Sequence, residues 1–278
     1  MELTQRNTNQ FALYYAACFY LVGAWYIWHG LTLSGLQPVF FVSKADITGQ
    51  LILWPGLQHK LINNSSCRMV FDAVFYLLPA ILCGCFVKRS GIVKMLGWFT
   101  ALYSLIYCYL FSTLSFVSIE PLIAWFFIPL MFTRPDLAGF YFKLHMMRIL
   151  FVIFFASAGL WKIRAGGIFN PDQMSGILVA QHAAILSSGE QSLFIRMLTF
   201  FINHPLLSNM LYWIVAAGEL FFLVGIFTKR YDRILIVILV SFLLFDYILM
   251  QINYFSWLPF AACFYYSQKK YPVEVSLR

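Results

Sequence analysis

Two cations and two acids stand inside apolar runs of this chain, where ionisable side chains are rare and costly. Arg148 and Lys162 bracket the run RILFVIFFASAGLWKI, and Glu219 and Asp246 fall within two later runs. An acid at mid-bilayer costs on the order of 3 kcal/mol on insertion scales, so each needs a partner or a bound proton. Lys162 follows Arg148 by fourteen residues, nearly four helical turns, which puts the two within about 40° of one helix face. Counted by depth along the spans, Arg148 is the expected partner of Glu219, and Lys162 of Asp246. A lysine partly withdrawn from water is the type that acts as a base, and Trp161 beside it and Gly166-Gly167 after it suit such a pocket. The alternative is a lysine whose ammonium snorkels to the headgroups.

Ala156, Ser157, Ala158 and Gly159 precede Lys162. Small side chains let another helix or a ligand approach the backbone, so Ala158 and Gly159 are the expected close-packing positions. His182, twenty residues after Lys162, is the candidate acid/base helper, an interfacial histidine being the alternative. No histidine pair has metal-site spacing, and no metal is expected. The six cysteines form no C-x-x-C pair. The sequence has no phosphate loop, no nucleophile elbow and no basic-aromatic surface for nucleic acid.

Everything that must position these residues is helical and apolar. Of 278 residues, 62% are hydrophobic and 11% charged, against roughly 25% charged in soluble domains. Apolar runs at about 11–33, 69–87, 92–112, 114–132, 144–163, 206–227, 232–252 and 254–268 predict eight transmembrane helices, each needing about 20 residues. The polar turns at 112–118 and 251–257 are weak, and merging across them leaves seven or six spans. No small-residue cleavage site follows the first run, so it is expected to stay as an anchor.

With eight spans and a cytoplasmic N-terminus, thirteen of the 19 Lys and Arg residues fall on inner segments, among them Lys88, Arg89 and Lys94, and Lys229, Arg230 and Arg233. The other six, Lys44, Lys60, Arg68, Lys162, Arg164 and Arg196, lie in or beside two long outer loops. That asymmetry orients the chain with both termini cytoplasmic, in the cytoplasmic (inner) membrane if the source is bacterial. Trp25, Trp28, Trp54, Trp161 and Trp257 then form an outer aromatic belt. In the second long loop, Asn170-Pro171-Asp172 predicts a helix start and a helix running to about Leu186. Ser192, Arg196, Thr199 and Asn203 form a polar stripe on a second, interfacial helix.

Gly84-Cys85-Phe86-Val87-Lys88-Arg89 and Gly225-Ile226-Phe227-Thr228-Lys229-Arg230 end corresponding spans 141 residues apart. The chain therefore reads as an all-α polytopic bundle of two parallel four-helix repeats: 1–140, and 141–278 with an interfacial outer loop at 164–205. The alternative is that G-x-F-x-K-R is simply how an aromatic-rich helix ends at an inner interface.

The run from Arg148 to Lys162 with its A-G-x-x-K ending, the helix containing Glu219-Leu220-Phe221-Phe222 and the G-x-F-x-K-R turn together resemble the membrane region of the vitamin K-dependent gamma-carboxylase superfamily, the horizontally transferred transmembrane domain. The resemblance implies that Lys162 is the base acting on a reduced quinone at the outer face. That family often has a histidine in the penultimate helix, where this chain has Phe245-Asp246-Tyr247. The R…A-G-x-x-K pattern also resembles the small four-helix DoxX-like membrane proteins. Two functions are expected on these grounds. One is handling of a lipid-soluble molecule such as a quinol by Lys162, with Asp246 setting its basicity. The other is a non-catalytic membrane subunit of an envelope assembly, with a membrane or periplasmic partner protein.

Overall fold

In lipid an apolar run has one good solution, the helix, because every backbone N–H and C=O then finds its partner within the segment. Among the described residues, six helices are long and apolar enough to cross a membrane: α1 (Gln5–Trp28), α3 (Ser65–Val87), α4 (Val93–Leu114), α6 (Leu137–Arg164), α9 (Pro205–Phe227) and α10 (Asp232–Met250). Shorter helices lie between them: α2 (Leu57–Asn63), α5 (Glu120–Thr133), α7 (Gln173–Gln181), α8 (Leu193–Asn203) and α11 (Leu258–Ser267). The computed structural model describes residues 2–39, 56–115, 117–134 and 136–270; Lys44, Trp54 and Arg278 lie outside the described residues. The chain is an all-α membrane helix bundle, with a lone bridge between Glu2 and Lys270 as the only extended pairing among the described residues.

Two of the eight expected spans are shorter than a bilayer crossing. The run at 114–132 becomes α5, which alternates 3-10 and α turns around Pro121 and Pro129. The last run becomes α11, only ten residues long, a rise of about 15 Å against a hydrocarbon core of about 30 Å. Proline and the polar stretches Ser112–Ser118 and Gln251–Ser256 keep both from extending.

The caps are local. Thr4 and Asn7 form a reciprocal capping box at the start of α1, and Asn64 accepts the Cys67 N–H at the start of α3. The Asp136 carboxylate accepts the Gly139 N–H where α6 begins. Inside α3, Pro79 removes a donor. The carbonyl that loses its helical donor is that of Phe75, four residues earlier; the next one, of Tyr76, takes a hydrogen bond from the Tyr20 hydroxyl of α1 at 2.7 Å.

Compactness divides the chain into residues 1–147 with 254–278, and residues 148–253. This grouping is not the expected halves, since the boundary falls inside α6 and the segment from Tyr254 belongs with the first unit. In the first unit, Phe19, Phe75, Tyr107 and Trp125 are buried together, with Phe75 and Tyr107 stacked at 3.8 Å. Asp72 is buried among them. Its carboxylate accepts the Leu33 and Ser34 N–H groups at 3.1 and 2.8 Å and the Tyr107 hydroxyl at 2.6 Å, so it ties the chain leaving α1 to α3 and α4. The C-terminal segment closes this unit: Trp257 donates to the Glu120 carbonyl, and Leu3 donates to the Lys270 carbonyl. In the second unit, Ile168, Met174, Leu178, Leu198, Tyr212, Ala216 and Leu249 form the core. Lipid is as apolar as these side chains, so close packing and polar contacts must supply specificity.

Candidate functional site

The site of the second unit is built by a close approach of α6 to α9. A Cβ on Gly159 would lie 3.0 Å from the Leu220 side chain and 3.1 Å from that of Glu219, so any side chain here would push against both. One turn further on, Lys162 projects from the same face of α6. Its Nζ donates to both carboxylate oxygens of Glu219, at 2.6 and 2.7 Å. The partners are unequally sheltered, the lysine side chain being 23% exposed and the glutamate 2%.

Asp246 stands next to this pair. It is buried, opens the π-helical turn Asp246–Met250 that ends α10, and has Lys162 and Glu219 as the charges acting on it. Its carboxyl makes no side-chain hydrogen bond among the described residues. Two carboxyls around one ammonium leave the cluster one negative charge in excess when all are ionised. Such a cluster takes up a proton or a hydrogen-bond donor from a ligand more readily than a matched pair would. Tyr212 lies two turns before Glu219 on the same face of α9, with its hydroxyl against the backbone of Gly167, where a Cβ would meet it at 2.6 Å.

Glu219 also lines a cleft of about 310 Å³ between α9 and α10. Ser241 and Glu219 are its polar groups, and Phe155, Val215, Phe242 and Phe245 are among its walls. Ile214 and Val237, which also line it, are about two-thirds exposed, so the cleft opens on the side that faces lipid. The volume lies at the low end of the roughly 300–1,000 Å³ range of small-molecule sites.

The other residues singled out from the sequence lie elsewhere in the unit. Arg148 pairs with Asp232 rather than Glu219: Nη2 donates to Oδ1 at 2.5 Å, Nε to Oδ2 at 2.8 Å, and Nη2 also to the Thr228 carbonyl at 3.0 Å. Lys162 pairs with Glu219, while Asp246 is a neighbour of that pair. Neither expected pairing is formed: Arg148 takes Asp232, and Lys162 takes the glutamate expected for Arg148. Depth counted in residues assumes upright helices with level ends, whereas α6 begins at Leu137, seven residues before the expected start. Asp232 had no role in the sequence reading. Its position, first in a helix just after Lys229-Arg230-Tyr231, was the available signal, because an acid there sits at the depth of an arginine near the same membrane face.

His182 is buried, and its Nε2 lies 2.9 Å from the Leu249 carbonyl. That carbonyl belongs to the π-helical turn, so the ring must carry its proton on Nε2 and serves as a donor to backbone, with Phe194 packed edge-on against it. The helix expected to run to Leu186 breaks at this histidine into Gln173–Gln181 and Ala183–Ser187. It begins at Gln173, after Asn170 accepts the Asp172 N–H. Ala158, beside Gly159, is half-buried. Ser192 caps α8 by accepting the Ile195 N–H.

Fold and site together define a polytopic membrane protein with a sheltered ion pair, a second acid beside it, and a cleft open to lipid that the glutamate of the pair lines. No protein-family model, curated protein or solved structure matches the chain.

Proposed function

We propose that this protein handles a lipid-soluble small molecule carrying a polar head, of which a quinol is the type, at the Lys162–Glu219–Asp246 cluster. The observation that carries this reading is the double position of Glu219, which lines an apolar cleft open to lipid and is held there by Lys162. The hydrocarbon of such a ligand fits against Phe155, Phe242 and Phe245, and its hydroxyl can donate to Glu219 or Ser241. In this reading Lys162 acts as a base only after passing its proton to a carboxylate, and Asp246 is the second acceptor that makes the transfer feasible. The similarity of A-G-x-x-K to the gamma-carboxylase-like membrane domain supports the choice of Lys162, and the charge asymmetry supports an outer-face site with cytoplasmic termini.

The test is native mass spectrometry with lipid extraction of protein purified in mild detergent. The expected result is a co-purifying amphiphile that is lost in Lys162→Ala and in Ser241→Leu, which fills the cleft without touching the ion pair. A stoichiometric partner protein with no small molecule would favour the second reading, a non-catalytic membrane subunit. The observation on that side is the Arg148–Asp232 contact, in which the same unit uses intramembrane charge purely to join helices.

A further inference from the structure

A second cleft, of about 600 Å³, lies within the first unit between α4 and α5. Trp98, Ala101, Leu102 and Leu105 form its α4 wall, with Phe126 and Leu130 opposite, and among the described residues no charged side chain lines it. Trp98 and Leu102 are more than half exposed, as they are in a groove open to lipid. From Met95 to Leu105 the helix rises about 15 Å, half of a hydrocarbon core about 30 Å thick. The groove therefore has the height of one leaflet.

Among the described residues, cations gather at the Met95 end. Lys94 sits one turn before Trp98 on the same helix row, and Lys88 and Arg89 occupy the turn leading into α4. The backbone N of Thr133 lies 3.2 Å from where Gly97 would carry a Cβ, which brings Arg134 to the same level. Lys143 donates to the Leu130 carbonyl at 2.6 Å and to the Thr133 hydroxyl. Lys88, Arg89, Lys94 and Arg134 are exposed. One acid stands among them: Asp136 Oδ2 accepts the Gly139 N–H, and its Oδ1 lies beside the Arg134 side chain against Gly139, so the four exposed cations outnumber it.

We propose that this groove binds one anionic phospholipid, with an acyl chain between α4 and α5 and its phosphate among Lys88, Arg89, Lys94 and Arg134. A neutral lipid would leave the cations unused, and a partner transmembrane helix would need a groove of full bilayer height. A leaflet-high apolar slot with basic residues at one end fits an anionic lipid on both counts.

The experiment adds phosphatidylglycerol or phosphatidylcholine to the full chain in mild detergent and counts retained lipids by native mass spectrometry. One phosphatidylglycerol should be retained in strong preference to phosphatidylcholine. Lys94→Gln/Arg134→Gln should weaken it about 30-fold, at about 1 kcal/mol for each basic residue. Leu102→Trp, at a position 58% exposed, should displace the lipid with the cations intact and the melting temperature in detergent unchanged. Equal retention of the two lipids would overturn the proposal. So would full retention in Leu102→Trp, which would put the lipid on the surface rather than in the groove. Crosslinking of a stoichiometric protein to a photoreactive side chain at Leu102 would overturn it as well.

Discussion

Lys162 and Glu219 share a contact but not an environment, and the difference predicts how each fails. Removing the lysine leaves a carboxylate almost wholly out of water without its counter-charge, whereas removing the glutamate leaves an ammonium already within reach of water or headgroups. Lys162→Met should therefore lower stability on the order of 2 kcal/mol, more than Glu219→Gln does, when melting is followed in detergent. The double variant Lys162→Met/Glu219→Leu should recover most of that loss while still failing to retain a ligand, which separates holding the fold from binding. Arg148 is a stricter case. Its fork engages both oxygens of Asp232 and a backbone carbonyl, and lysine cannot reproduce that geometry. Arg148→Lys should cost about 3 kcal/mol, close to the loss in Arg148→Ala, in the same melting assay.

At the scale of elements, the small residues before Lys162 are not equivalent. Gly159 is where α6 meets Glu219 and Leu220, so Gly159→Leu should separate α6 from α9 and abolish folded yield, while Ala158→Leu, at a half-buried position, should be tolerated. Size-exclusion profiles of the two variants would show it. Gly167→Ala should likewise be harmful because of the Tyr212 hydroxyl, and Tyr212→Phe should partly restore its melting temperature. The sequence reading reached Gly159 through the cluster of small residues but had no access to Gly167, whose constraint comes from a side chain 45 residues away. The break of the loop helix at His182 was equally hidden. It depends on a backbone carbonyl in α10, and the π-helical turn that exposes this carbonyl leaves no periodic trace. The six long helices were readable because apolar length alone dictates them. Ion-pair partners were not, because tilt and helix overhang shift depth by several residues.

For the whole molecule, the number of crossings decides the side on which each end lies. Six full-length helices, or eight with α5 and α11 counted as spans, put both termini in one compartment, whereas seven would separate them. Reporter fusions at the two ends should report the same side, and Glu190→Cys, between α7 and α8, separates the two counts: an impermeant maleimide should reach it from the opposite side when α5 crosses, after five crossings, and from the side of the termini when only the six long helices do, after four. The tie between Leu3 and the Lys270 carbonyl joins the beginning and end of the first unit, so truncation before Tyr254 should expose that unit to protease even though the second unit lies earlier in the chain.

The bond from Tyr20 to the Tyr76 carbonyl bears on how the protein is made. Tyr20 is synthesised well before Tyr76, so α1 already occupies the bilayer with its phenol when α3 leaves the translocon and brings the Tyr76 carbonyl within reach. That hydroxyl is costly to leave unpaired in hydrocarbon, and the second lone pair of the Tyr76 carbonyl gives α3 a reason to stop beside α1 rather than drift away. The order of synthesis and the pairing of the first two long helices are thereby linked through one hydroxyl.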